Sequence, residues 1–139
     1  MLGLNNGMAG DIDVSRISRL LGVVDVVSVR SGEFLFREGD AADAFYIVKR
    51  GVVQVISEDG ITYETVGEGG IVGELAIVDE GTRSLSVRAE SRAELVKVDV
   101  SGFLNLVTTE PTFSLAVMRV MSRRLRLMNR RYAAAVGSA

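Results

Sequence analysis

Between Val24 and Val98 the chain is a succession of short runs rich in Val, Ile, Phe and Tyr, cut apart by glycine and acidic residues. The runs include Val26-Val27-Ser28-Val29, Phe34-Leu35-Phe36, Phe45-Tyr46-Ile47-Val48 and Val52-Val53-Gln54-Val55-Ile56. Thr62-Tyr63-Glu64-Thr65-Val66, Leu85-Ser86-Val87 and Leu95-Val96-Lys97-Val98 continue the series. Each has the length of one strand, and Gly32, Gly39, Gly51, Gly60 and Gly70 fall where turns are needed. An α/β fold would need a helical stretch between successive strands, and no gap here is long enough to hold one. The segment reads as all-β, a sandwich or jelly roll.

The two ends follow a different period. Val14, Ile17, Leu20 and Leu21 lie at helical spacing, which predicts a short helix over 13–23. Beyond the β segment, Ser101 is the expected cap of a short helix reaching about Thr108, and Pro111 suits the first turn of a second helix running to about Ala134. Phe113, Val117, Val120, Met121, Leu127 and Met128 place its apolar residues broadly on one face. No internal repeat or low-complexity linker breaks the 139 residues, a length that suits one domain with its own core. The expected layout is a flexible start over 1–12, one domain over 13–134 and a tail over 135–139, with β structure over 24–99 and helices over 101–134.

Two absences narrow the chemistry. The sequence has no histidine, the usual general base near neutral pH and the commonest transition-metal ligand, and no cysteine. Hydrolytic triads, thiol nucleophiles and Cys- or His-based metal sites all need residues that are missing, so a binding protein without a metal or cofactor is expected rather than an enzyme. No apolar stretch approaches the ~20 residues of a membrane span, and Met1 to Gly10 lacks the basic and apolar regions of a signal peptide. A cytoplasmic location is expected. The net charge of −2 hides a split: no acid follows Glu110, whereas Arg119, Arg123, Arg124, Arg126, Arg130 and Arg131 do. The first 110 residues therefore carry a net −8.

The stretch Val72-Gly73-Glu74-Leu75-Ala76-Ile77-Val78-Asp79-Glu80-Gly81-Thr82-Arg83-Ser84 sets a glycine and a carboxylate at one end of a loop and an arginine at the other. Gly73 lets backbone N–H groups approach a ligand, and Glu74-Leu75-Ala76 can open a helical turn whose free N–H groups suit an anion. Arg83 offers a planar, permanently charged fork for two oxygens of a phosphate, with the Ser84 hydroxyl beside it. Glu74 is an acceptor suited to a sugar hydroxyl. A solvated loop with a surface ion pair is the competing reading of the same spacing.

Gly73-Glu74-Leu75-Ala76, then Arg83-Ser84 and Val87-Arg88-Ala89, resemble the phosphate-binding cassette of cyclic-nucleotide-binding domains, the family of the catabolite activator protein, kinase regulatory subunits and cyclic-nucleotide-gated channels. Gly32-Glu33-Phe34-Leu35-Phe36-Arg37-Glu38-Gly39-Asp40, Asp43-Ala44-Phe45-Tyr46-Ile47-Val48 and Gly51-Val52-Val53-Gln54-Val55 resemble its earlier strands, in order. The likeness covers about residues 13–132. It implies a mainly β fold, an eight-stranded antiparallel β-roll of jelly-roll type flanked by N- and C-terminal helices, with the cassette over 72–84. It also implies that Arg83, Ser84 and Gly73 hold a cyclic phosphate, that Glu74 binds the ribose 2′-hydroxyl, and that Val72, Leu75 and Ala76 wall the cassette. Thr82 stands where many members carry proline, a residue that stiffens the loop.

In similar proteins the last helix covers the base. Aligning Arg123-Arg124-Leu125 with that helix brings Met128 and Asn129 near the purine. Arg124, which interrupts the apolar face, is another candidate; a dimer seam or solvated face competes for each. A hydroxyl immediately after the arginine, here Ser84, can contact guanine's amino group, yet serine there also occurs in cAMP-binding regulators; the expectation leans to cAMP over cGMP. Ligand binding is expected to move the last helix, signalling to a second copy or an effector protein. Only Ala133 to Ala139 follow that helix, too few for a DNA-reading domain. The rival function is an arginine-rich helix that meets nucleic acid, a membrane surface or a protein, on a roll that no longer binds nucleotide.

Overall fold

The computed structural model describes residues 12–22, 24–75 and 81–137. The expectations for the first residues, Val23, Ala76 and the last two residues lie outside them. Helix α1 (Val14–Leu21) begins where the Asp13 carboxylate accepts a hydrogen bond from the Arg16 amide at 3.1 Å, and its Ile17 is buried. Eight strands follow: β1 (Asp25–Val29), β2 (Phe34–Phe36), β3 (Ala44–Arg50), β4 (Val53–Ile56), β5 (Thr62–Val66), β6 (Ile71–Val72), β7 (Ser86–Ala89) and β8 (Ala93–Asp99). They form two antiparallel sheets of four, in the orders β1-β8-β3-β6 and β2-β7-β4-β5. The fold is the eight-stranded β-roll with flanking helices that the resemblance implied. The two-residue β6 carries no pattern of its own and escapes a reading by alternation.

The alternating side chains of β3 and β8 tie the layers together. Tyr46, Val48, Ala93 and Leu95 pack inward with Val53, Val66, Val72 and Val87, and so join the two sheets. Phe45, Ile47, Val96 and Val98 point to the other face, where Ile17, Leu106, Phe113, Val117 and Val120 cover them. A strand buried on both faces is apolar at nearly every position, which is why Phe45-Tyr46-Ile47-Val48 shows no polar alternation.

Helix α2 (Val100–Thr109) starts directly from β8. Its cap is Asp99, whose Oδ1 accepts from the Gly102 amide at 2.8 Å, and not Ser101, which lies inside the first turn. A carboxylate one residue before the helix competes better for the free amides than a hydroxyl already inside it. Glu110 leaves helical geometry at φ −139° and ψ 79°, as a residue before proline tends to, and α3 (Pro111–Gly137) begins there. It runs past Ala134 to Gly137, into the residues read as a tail. Rings of Phe45, Phe103 and Phe113, with centroids 5.8–6.1 Å apart, join β3, α2 and α3.

Candidate functional site

The second half of α3 and the β2-β7-β4-β5 sheet enclose a cleft of about 460 Å³, a size typical of small-ligand sites. Val72, Gly73, Glu74, Leu75, Arg83, Ser84, Arg124 and Met128 all line it, although the last two lie some forty residues beyond the loop that supplies the others. Asn129 is exposed and does not line it; one residue past Met128, it is turned a further ~100° around the helix, away from the roll. Ala76 lies outside the described residues.

Gly73 follows β6 with φ +81°, a left-handed conformation that disfavours any side chain. A Cβ there would stand 2.6 Å from Arg83 Nη1 and 3.3 Å from the Phe36 ring. The glycine is thus needed twice, for the turn and for the close approach of the arginine. A helical turn opens at Glu74.

Arg83 is held from the backbone outward. Its amide donates to Asp40 O and its carbonyl accepts from the Gly39 amide, both at 2.8 Å, and Ala41 and Thr82 form a β-bridge. This pairing fixes Thr82 without proline's ring. The Arg83 side chain is only 5% exposed. Nη2 donates to Ala44 O at 2.7 Å and Nη1 to Gly73 O at 3.2 Å, and the guanidinium carbon sits 4.0 Å from the centroid of the Phe36 ring. Nε is buried with no hydrogen-bond partner. Among the described residues no carboxylate lies within ion-pair distance of it. Burial pushes the guanidinium pKa below its ordinary value, against the pull of Tyr46, Asp43, Asp40 and Glu74. A desolvated cation with an unsatisfied donor is costly on its own and is suited to accept an anion.

Glu74, 4% exposed, is the other buried charge among the described residues, and it is paired. Arg124 Nη1 donates to Glu74 Oε1, Nη2 donates to Ile71 O, and Nε donates to Glu64 Oε1 at 2.7 Å. Burial lowers the Arg124 pKa, but Glu74 and Glu64 outweigh it and hold the pKa above the ordinary arginine value. Arg124 therefore ties α3 to the wall that carries Glu74; its cation is spent on two carboxylates rather than left as an open cover. Farther along, Arg131 Nη2 donates to Tyr63 O at 2.7 Å. Two of the six arginines beyond Glu110 thus turn onto the protein's own roll.

Phe36, Val55, Tyr63, Glu64, Leu85, Val87 and Leu127 also line the cleft, and sequence reasoning missed them. Glu64 was the one available signal, the only charge in an otherwise neutral strand. A strand acid is usually solvent-facing, so its sequence position does not distinguish the two cases. Leu127 lies between Arg124 and Arg131 on one helix face, a link visible only once the arginines are known to face inward.

A buried cation, a buried carboxylate and an apolar remainder in one cleft suit a ligand with an anionic group, a hydroxyl donor and a flat apolar part. Comparison with known proteins agrees. An uncharacterized NTE family protein of Mycobacterium tuberculosis is 28% identical over 122 residues, which cover 88% of this chain and 21% of that protein. The chain thus spans about a fifth of that relative's length. The c-di-GMP responsive global regulator CLP of Xanthomonas campestris superposes with a TM-score of 0.76 at 26% identity, over 87% of this chain and 63% of that one. The EAL enzyme Bd1971 is 35% identical in its cAMP-bound form and 33% in its cGMP-bound form, each with a TM-score of 0.58; about four-fifths of this chain and 30–31% of that one are covered. The profile of the cyclic nucleotide-binding domain matches residues 26–110, from the second residue of β1 to the end of α2, with the whole of the loop that bears Glu74 and Arg83. On that match and this shared fold, the chain belongs to the cyclic nucleotide-binding domain family.

Proposed function

We propose that this chain is a cyclic-nucleotide sensor, binding cAMP in preference to cGMP, that works as a regulatory module in the cytosol and not as an enzyme, and needs no cofactor. The observation that carries the reading is the pair Arg83 and Glu74, opposite charges buried on one cleft wall. The unsatisfied Arg83 and the neighbouring Ser84 hydroxyl suit the cyclic phosphate, and backbone at Gly73 suits its close approach. Glu74 keeps lone pairs beyond those used by Arg124 and suits the ribose 2′-hydroxyl. Val72 and Leu75 flank these groups. The base then falls towards Val55, Tyr63, Leu127 and Met128.

The lean towards adenine has a physical basis. Guanine presents both N1–H and an N2 amino group where adenine presents one amino group, and the cleft beyond Glu74 is lined by apolar Val55, Leu127 and Met128. Donors buried against an apolar wall cost affinity. Bd1971 has been solved with either nucleotide, so a difference of degree is expected.

The output is a population shift. Because Arg124 links Glu74 to α3, a ligand that contacts Glu74 bears on that helix, and typical coupling free energies are about 1–3 kcal/mol. The outward face of α3 carries Met118, Leu125 and Tyr132, all exposed, for a second copy or an effector protein. The arginine-rich helix as a nucleic-acid or membrane surface is the weaker reading, since Arg124 and Arg131 face the roll.

Calorimetric titration with cAMP, cGMP, c-di-GMP and 5′-AMP tests this. Saturable binding of cAMP, weaker binding of cGMP and little response to 5′-AMP are expected. Arg83→Ala should weaken cAMP at least tenfold, and Glu74→Ala should erode the preference for cAMP over 2′-deoxy-cAMP. A wild-type protein that binds neither cAMP nor cGMP refutes the assignment.

A further inference from the structure

Strand β5 lies at the edge of its sheet, bonded to β4 alone, yet it supplies Tyr63 and Glu64 to the cleft. An edge strand has no neighbour to fix its outer side, and a tyrosine on it can take several rotamers. Here one side chain fixes both backbone and ring. Arg131 Nη2 donates to Tyr63 O at 2.7 Å, and the Arg131 guanidinium carbon lies 4.7 Å from the centroid of the Tyr63 ring. Arg131 Nη1 is buried with no hydrogen-bond partner, so the guanidinium forgoes water to hold this position. Tyr63 lines the cleft and Arg131 does not, so the tyrosine stands between the cation and the ligand space.

We propose that Tyr63 is the stacking surface for the base of the bound nucleotide and that Arg131 is its positioning residue, together setting a preference for purine over pyrimidine cyclic nucleotides. The inference rests on the cyclic-nucleotide reading above. A cation near an aromatic ring draws on its electron density and holds its orientation, leaving a flat, pre-set surface for a second ring. Aromatic stacking tolerates any base but rewards the larger π-face, so a two-ring purine gains more than a pyrimidine. Val55, Leu127 and Met128 complete an apolar slot in which stacking, rather than hydrogen bonding, is the available interaction.

The test is calorimetry with cAMP, cCMP and 2′-deoxy-cAMP on the full chain and four variants, with circular dichroism to check folding. Tyr63→Phe keeps the ring and should stay within about twofold of wild type for cAMP, whereas Tyr63→Leu should lose about tenfold, a typical stacking loss. Arg131→Met should lower cAMP affinity by roughly three- to fivefold, and Arg131→Lys should recover part of it, because charge near the ring returns. In Tyr63→Leu and Arg131→Met the ratio of cAMP to cCMP affinity should shrink while the ratio of cAMP to 2′-deoxy-cAMP stays fixed. A general loosening of the domain would move both ratios or neither. If the wild type binds cAMP but both variants keep its cAMP-to-cCMP ratio, this inference fails and the sensor reading stands. If the wild type binds no cyclic nucleotide, both fail together. Arg131→Met keeps the tyrosine in the sequence and removes only its support, so its result decides even if Tyr63→Leu does not fold.

Discussion

Gly73 shows how much one missing atom decides. Its left-handed φ and the 2.6 Å approach of Arg83 leave no room for a methyl group. In Gly73→Ala the backbone strain alone should cost about 1–2 kcal/mol in urea unfolding. Because Arg83 is buried between Phe36 and two carbonyls, it cannot yield without losing its place. Cyclic-nucleotide affinity should therefore fall at least tenfold. Normal affinity in a destabilised Gly73→Ala would show that Arg83 can move and still bind. The importance of Gly73 and Arg83 was legible in the sequence, since both belong to one short motif. That they touch was not, because nine residues of intervening loop can be folded in many ways.

At the scale of elements, α3 is held to the roll by two kinds of contact. Its first half buries Phe113, Ala116, Val117 and Val120, and its second half relies on Arg124 and Arg131. Arg124→Met should leave the buried Glu74 without its closest counter-charge. Removing one partner of a buried pair costs about 3 kcal/mol. Hydrogen exchange should quicken over roughly residues 121–137, with the first half protected as before; unchanged exchange would mean that the apolar contacts alone hold the helix. At the α2–α3 corner, Arg16 Nε donates to Glu110 Oε2 at 2.7 Å and Thr112 Oγ1 donates to Oε1 at 3.0 Å. Hydrogen bonds from Arg16 first, then Thr112, hold the Glu110 carboxyl below its ordinary pKa. The folded value is thus depressed, so this contribution is full above the ordinary glutamate range and is lost as pH falls through the depressed value. Arg16→Ala should lose less stability than wild type on acidification through that window, and parallel curves would show the pair to be inert. The contact is exposed and the effect should be small.

The whole molecule is electrically divided, with a net −8 in the first 110 residues and six arginines beyond them. Arg124 and Arg131 bridge that division by folding basic helix onto acidic roll. A ligand that binds the folded domain and not the unfolded chain stabilises it by about 2.7 kcal/mol at a hundredfold excess over Kd. For a domain of this size the melting temperature should rise by about 10 °C with cAMP and scarcely at all with 5′-AMP. An equal rise with both would point to a general phosphate site in place of a cyclic-nucleotide sensor.

What the sequence determined by itself was local in origin. Strand-length apolar runs broken by glycine dictated an all-β middle, helical spacing dictated the ends, and one motif held the glycine, carboxylate and arginine of the loop. Such features depend on backbone preferences and on neighbours within a few residues. The tertiary structure alone decided what the inward side of α3 meets. A 3.6-residue period places Arg124 on the apolar face of α3 but shows neither what it meets there nor that Arg131 turns inward as well. Arg124 meets Glu74 and Glu64 across 50 and 60 residues, and Arg131 meets Tyr63 across 68. Those pairings exist because packing of Phe113, Val117 and Val120 fixes the rotation of the helix. Side chains one and two turns farther on are then brought over β5 and the cleft.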